Sequence, residues 1–295
     1  MKLLKVMTRR NIKLFFKDKG LFFTSLITPM ILLVLYVTFL SKVYRDSYLM
    51  AVPEGLISGG LIDALVSGQL VSSLLAVSTV TVSFCSNMLM VQDKMKGQTR
   101  DFAVTPSDKS TIALSYFLST VIVSLIISLA AFAGGYIFMM TAGLYLNIVD
   151  VLLILGDIIL LVLMGTALSS IINVFLSTQG QISSVGTIVS SGYGFICGAY
   201  MPISQFSEGL QNVIALFPGT YGTGLLRCHL IRSVFDEMND IGVPDSVVNE
   251  LMDVTDCNRY FFGTQVSEPV MYLILGGTVA MFIGIYVLLH KRKHK

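Results

Sequence analysis

Tryptophan is missing from the chain, and Tyr and Phe supply all of its aromatic character. Cysteine is scarce: Cys85, Cys197, Cys228 and Cys257 show no CxxC spacing, which removes the usual sequence pattern for a redox or zinc centre. The histidines, His229, His290 and His294, all fall outside the apolar runs, which excludes a histidine metal site within them. No GxxxxGK[ST] phosphate loop occurs, so no such site for hydrolysing a nucleotide is present, and there is no HExxH. Charge is the largest deficit. Only 13% of the 295 residues are Asp, Glu, Lys or Arg, where soluble domains carry about 25%.

What fills the space is hydrocarbon: 54% of residues are hydrophobic and the mean hydropathy is +0.77. Apolar runs long enough to cross a hydrocarbon core about 30 Å thick recur along the chain. They are continuous rather than alternating, which selects helices over a β-barrel. The expected class is all-α, a polytopic membrane protein whose single domain covers residues 1–295. Six transmembrane helices are expected: Leu21 to Leu40 with Pro29 inside, Leu61 to Val91, Thr111 to Thr141, Val151 to Leu176, Ile182 to Met201 and Pro269 to His290. The second is longer than a bilayer requires, so it tilts or projects beyond it.

Residues 1–20 precede the first run and carry Lys2, Lys5, Arg9, Arg10, Lys13, Lys17 and Lys19. At 100° per residue Leu3, Leu4, Met7, Leu14 and Phe15 share one face, and the bases crowd the other. This is the pattern of a helix lying in the membrane interface. The run that follows is too long for a signal peptide and lacks its cleavage site.

Six crossings put both termini on one side. That side collects fifteen Lys and Arg residues, against five on the other: Lys42, Arg45, Arg227, Arg232 and Arg259. The positive-inside rule then places both termini in the cytoplasm and the protein in the cell membrane. The outer side holds the loop from Ser41 to Gly60, a turn near Gly143 to Val149, and the segment 202–268. That last segment is acidic, with Asp236, Glu237, Asp240, Asp245, Glu250, Asp253 and Asp256, and is long enough to hold one or two short helices. Solvation explains its acidity more simply than cation binding.

Within the runs Asp157 is the clearest ionisable residue, and a charge there must face protein or water. A helix–helix hydrogen bond is its first expected role and the substrate path its second. Asp63 and Asp150 are expected at the outer interface, in reach of water. Small and hydroxylated residues crowd the second and fifth runs, among them Ser72, Thr79 and Ser190. They are expected to pack helices closely and are candidates to line a path. Cys228 and Cys257 share the outer side, where a disulfide between them can survive.

Two segments carry a resemblance. Residues Gln92 to Pro106 form a charged run with Gly97 inside it and Val104-Thr105-Pro106 at its end. Further on come Gly198-x-x-x-Pro202, Leu210-Gln211, Pro218-x-x-Tyr221 and Leu226-Arg227. With the six spans and the basic helix, they make the chain resemble the permease subunit of type-2 ABC exporters. The resemblance implies that the loop 92–110, with Asp93, Lys94, Lys96, Gly97, Arg100, Thr105 and Pro106, is a coupling helix docking on a separate ATPase subunit. The acidic residues that flank the family's glycine are here Lys94, Lys96 and Gln98. It further implies short re-entrant helices at the outer face, marked by Gly198, Pro202, Gln211, Pro218, Tyr221 and Arg227. A second permease copy or a sister permease would complete the path between second and fifth spans. ATP and Mg²⁺ would sit on the partner ATPase, with no cofactor in this chain and no nucleic acid as partner. A secondary transporter or channel driven by an ion gradient is the alternative; it predicts more buried carboxylates and an internal repeat.

Overall fold

The computed structural model describes residues 2–53, 55–98 and 109–292; the side chains of Lys109, Ser190, His290, Lys291 and Arg292 are outside the description. Helix α1, Lys2–Lys17, is amphipathic and buries Met7, Thr8, Asn11 and Phe15. Asp18 caps the next helix by accepting the Leu21 amide at 3.1 Å, so the chain turns there and continues as α2, Lys19–Leu35. Instead of ending near Leu40, it passes through a π-helical turn, Tyr36–Leu40, into α3, Ser41–Ala51. The expected outer loop is therefore helical over its first half. Lys42, Arg45 and Asp46 signal the end of apolar surface, but no helix breaker stands before Pro53.

Helix α4, Gly59–Met95, has 37 residues and is thus about 55 Å long. It is the axis of the molecule, buried along almost its whole length by the surrounding helices α2, α5 (Lys109–Ala142), α6 (Ile148–Phe175), α7 (Gln179–Ile196) and α9 (Pro218–Asp240). Glycine permits two of the closest approaches. A Cβ on Gly68 would lie 2.2 Å from Ile231 of α9, and one on Gly165 of α6 would lie 3.2 Å from the Val80 backbone. Side-chain caps fix where α6 and α7 start. Asn147 and Asp150 form a reciprocal capping box at the first, Thr178 and Gln181 at the second.

After α7 come a 3-10 turn at Ile203–Gln205, the short α8 (Glu208–Ile214), α9, α10 (Asp245–Val254), a two-stranded hairpin and the last helix α11 (Glu268–Arg292). The hairpin pairs β1, Arg259–Phe261, antiparallel with β2, Thr264–Val266. Segment 202–268 is thus more than a solvated loop with short helices. Its helix α9 runs 23 residues and is packed among α4, α6 and α11. Pro218 opens α9 at a position where its missing N–H costs nothing.

Five helical stretches among the described residues are long and apolar enough to cross a membrane: Lys19–Ala51, Gly59–Met95, Ser110–Ala142, Ile148–Phe175 and Glu268–Leu289. Helix α7 has 18 residues and is rich in Gly and Ser, which keeps it outside that set.

Candidate functional site

The loop after α4 is rooted in the helical body by two side chains that the sequence suggested would meet a partner. Asp93 is buried, accepting from Arg10 of α1 at 2.7 Å and from the Tyr116 hydroxyl of α5 at 2.5 Å. Burial pulls the Arg10 pKa down, but the hydrogen bond and charge of Asp93 outweigh it and the net shift is upward. Arg10 also donates to Gln98, on the far side of the turn. Lys94 donates to the carbonyls of Asn173 at 2.8 Å and Val174 at 3.3 Å, the negative end of the α6 dipole. Asp93 and Lys94 therefore hold the loop instead of presenting themselves. Lys96 is exposed, and Gly97 takes the left-handed conformation that turns the chain away from α4 (φ +78°). Arg100, Thr105 and Pro106 lie outside the described residues.

At the opposite end Arg227 of α9 is fully buried and ties together distant pieces of chain. It donates to Asp256 at 2.8 Å, to the Gly198 carbonyl at 2.9 Å and to Ser73 of α4 at 3.2 Å. Asp256 also accepts the backbone amides of Ile203 at 2.8 Å and Ser204 at 3.0 Å, the turn following Pro202. Gln211 donates to the Phe206 carbonyl at 2.8 Å and the Tyr221 hydroxyl to that of Ala215 at 2.8 Å, so α8 is fastened on both flanks. Gly198, Gln211, Tyr221, Arg227 and the turn after Pro202 thus gather around one polar knot, and Pro218 starts the helix that carries Tyr221 and Arg227. Asp256, which read as a solvated acid, is at its centre.

Between these ends, nearer the loop, α2, α4 and α7 line a partly open cavity of about 440 Å³. Thr24, Thr28, Thr81, Gln92, Ser183 and Thr187 contribute hydroxyls and amides to its wall, and Leu21, Ile27, Met88 and Ile182 contribute hydrocarbon. Second and fifth apolar runs do meet there, but Ser72 and Thr79 do not take part. Both are buried, and each donates to a carbonyl of its own helix at 2.8 Å. The side chain of Ser190 is outside the description. Helix α7 leaves Ser183, Ser184, Thr187 and Ser191 exposed on the molecule's flank.

Residues 2–229 match the family described as ABC-2 type transporter. The chain belongs to that family. Its members' matching region is a membrane subunit of an ABC transporter and not itself an ATPase. No curated protein matches the chain. The family match stops within α9, so α10, the hairpin and α11 lie beyond it.

In this ABC permease His229 stands outside the apolar runs and is nonetheless buried, on α9, with Nδ1 2.6 Å from Asp157 of α6. Tyr272 of α11 donates to the other Asp157 oxygen at 2.8 Å. Asp157 is thereby partnered by two other helices, which fits the structural role first expected of it. Asp150 is also sealed from water rather than at an open interface, bonding Ser233 of α9 and capping its own helix. Asp63 pairs with Arg45 at 2.9 Å with both half exposed. Cys228 and Cys257 come together but as free thiols; the Cys228 sulfur faces the Cys257 carbonyl at 3.2 Å. The contacts of Asp157 with His229 and Tyr272 and of Asp150 with Ser233 have no local sequence signal, because the partners are 72, 115 and 83 residues away.

Proposed function

We propose that the chain is the membrane-spanning half of an ATP-driven exporter, working as a dimer with a second copy or a sister permease. A separate ABC ATPase, carrying ATP and Mg²⁺, binds the loop after α4. Helix α7 serves as the sixth crossing in spite of its low apolarity. Its exposed face, Ser183, Ser184, Thr187 and Ser191 with Ile188 and Phe195, is covered by the neighbouring permease and not by lipid. Helices α8 and α9 form the re-entrant outer segment, and both termini are cytoplasmic.

The observation that carries this reading is the cavity between α2, α4 and α7. It lies near the loop end, has α7 as one of its walls, and mixes hydroxyls with hydrocarbon. Such a wall suits an amphipathic solute entering from the cytoplasmic side. ATP-driven closure of the ATPase pair, passed through the rigid root at Asp93 and Lys94, would then turn the helices to open outward.

The test is efflux of the amphipathic dye ethidium from cells expressing the permease with its ATPase. Thr24→Trp and Thr28→Trp, which fill the cavity, should cut efflux at least tenfold while the ATPase still co-purifies. Efflux at the wild-type rate in both variants would remove the cavity from the path.

A further inference from the structure

On the other side of α2 from that cavity, α2, α4 and α5 frame a second space of about 590 Å³. Its lining is hydrocarbon apart from Tyr36 and Ser78. Both hydroxyls are already committed, Tyr36 to the Ala199 carbonyl at 2.7 Å and Ser78 to the Leu74 carbonyl at 2.6 Å. Nothing in the groove offers or needs a hydrogen bond. An extended peptide there would lose its backbone partners.

The groove runs along α2 from Phe22 to Val37, about 22 Å at 1.5 Å per residue. A long, narrow space of 590 Å³ lined by hydrocarbon suits a lipid acyl chain, which needs no hydrogen-bond partner. Phe16 and Phe22 flank the α1 end of the groove, its mouth; at the elbow between α1 and α2, Phe22 meets Phe15 and Phe23 edge to face and Phe16 at a tilt. On α1, Arg9, Lys13 and Phe16 fall within about 60° of one another. Both bases are exposed. Cations therefore stand on the same face as the residue at the mouth.

We propose that this groove is a binding site for a single anionic membrane phospholipid, one acyl chain lying between α2 and α5 and the headgroup phosphate held by Arg9 and Lys13. The site is independent of the transported solute and of the ATPase. It couples the interfacial helix to the bundle through a lipid, in addition to the direct contact between Arg10 and Asp93.

Native mass spectrometry of the full-length protein, released from detergent after exposure to equal amounts of phosphatidylglycerol and phosphatidylcholine, tests it. The wild type should retain one phosphatidylglycerol at least tenfold over phosphatidylcholine. Gly134→Phe, whose position opens into the groove with no heavy atom within 4 Å of an added Cβ, should lose that lipid. Gly277→Phe on α11, with equally open space, should keep it. Arg9→Gln with Lys13→Gln should retain a lipid but discriminate less than threefold between headgroups. Should Gly134→Phe not fold, Ala130→Leu, which also lines the groove, gives the same reading. Retention of phosphatidylglycerol by the groove-filled variant, or equal retention of both lipids by the wild type, would overturn the proposal.

Discussion

Arg227 is the largest side chain completely sealed from solvent, and its charge is tolerable only because Asp256 and two oxygens from other segments meet it. Removing one member of such a pair leaves the other buried and uncompensated. Arg227→Met should therefore lower unfolding stability by about 3–5 kcal/mol, while adding Asp256→Asn to it should recover part of that loss. Urea unfolding in detergent followed by tyrosine fluorescence would read the difference; equal stability for single and double variants would mean that the two charges do not depend on each other. A smaller effect belongs to Tyr272. Its hydroxyl donates one bond to Asp157, which keeps its shorter contact with His229, so Tyr272→Phe should cost about 0.5–1.5 kcal/mol in the same measurement.

Among the elements, α4 shows most plainly how packing depends on small residues. Gly68 faces Ile231 so closely that a methyl group would sit 2.2 Å from its Cγ2, with the Leu230 carbonyl 3.2 Å away. Gly68→Ala should cost about 1–3 kcal/mol through overpacking, and Ile231→Ala beside it should restore more than an additive sum predicts. A double-variant cycle of melting points checks this, and strict additivity would deny the contact. The elements also divide by how much of them can be read from the residues. The spans Thr111 to Thr141 and Val151 to Leu176 differ from α5 and α6 by only a few residues, since apolar runs and the Asn147 cap are local signals. Helix α3 was hidden because charges mark the end of apolar surface, which is not the end of a helix. Helix α9 was hidden for the opposite reason. Its Gly, Thr, Arg and His residues look like loop, and they become interior only because Asp157, Asp256 and Ser73 satisfy them from far away in the sequence. Of the candidate site, the resemblance marks Arg227, Gly198 and Gln211, but the contacts of Arg227 with Asp256 and Ser73, like the roles of Asp93 and Lys94 as anchors, depend on elements far apart in the sequence.

For the molecule as a whole, the proposed orientation rests on the arrangement of charge. Two of the five bases assigned to the outside, Arg227 and Arg259, are buried in the protein and confront no lipid headgroup. Arg10 and Lys94 among the fifteen are likewise held by protein groups, so the discount applies to both faces. Orientation can be tested directly because Cys85, Cys197, Cys228 and Cys257 are all buried free thiols, which a membrane-impermeant maleimide reaches poorly. An exposed position given a single new thiol then reports the side on which it lies. Asn249→Cys, on the outward surface of α10, should label in intact cells. Lys96→Cys, at the loop after α4, should label only after the membrane is permeabilised, and should be protected when the ATPase is bound. The reverse pattern would invert the protein and place the loop after α4, proposed to meet the ATPase, where no ATP is supplied. That single result would leave the helical bundle standing while removing export from the reading, since the amphipathic cavity would then open to the outside.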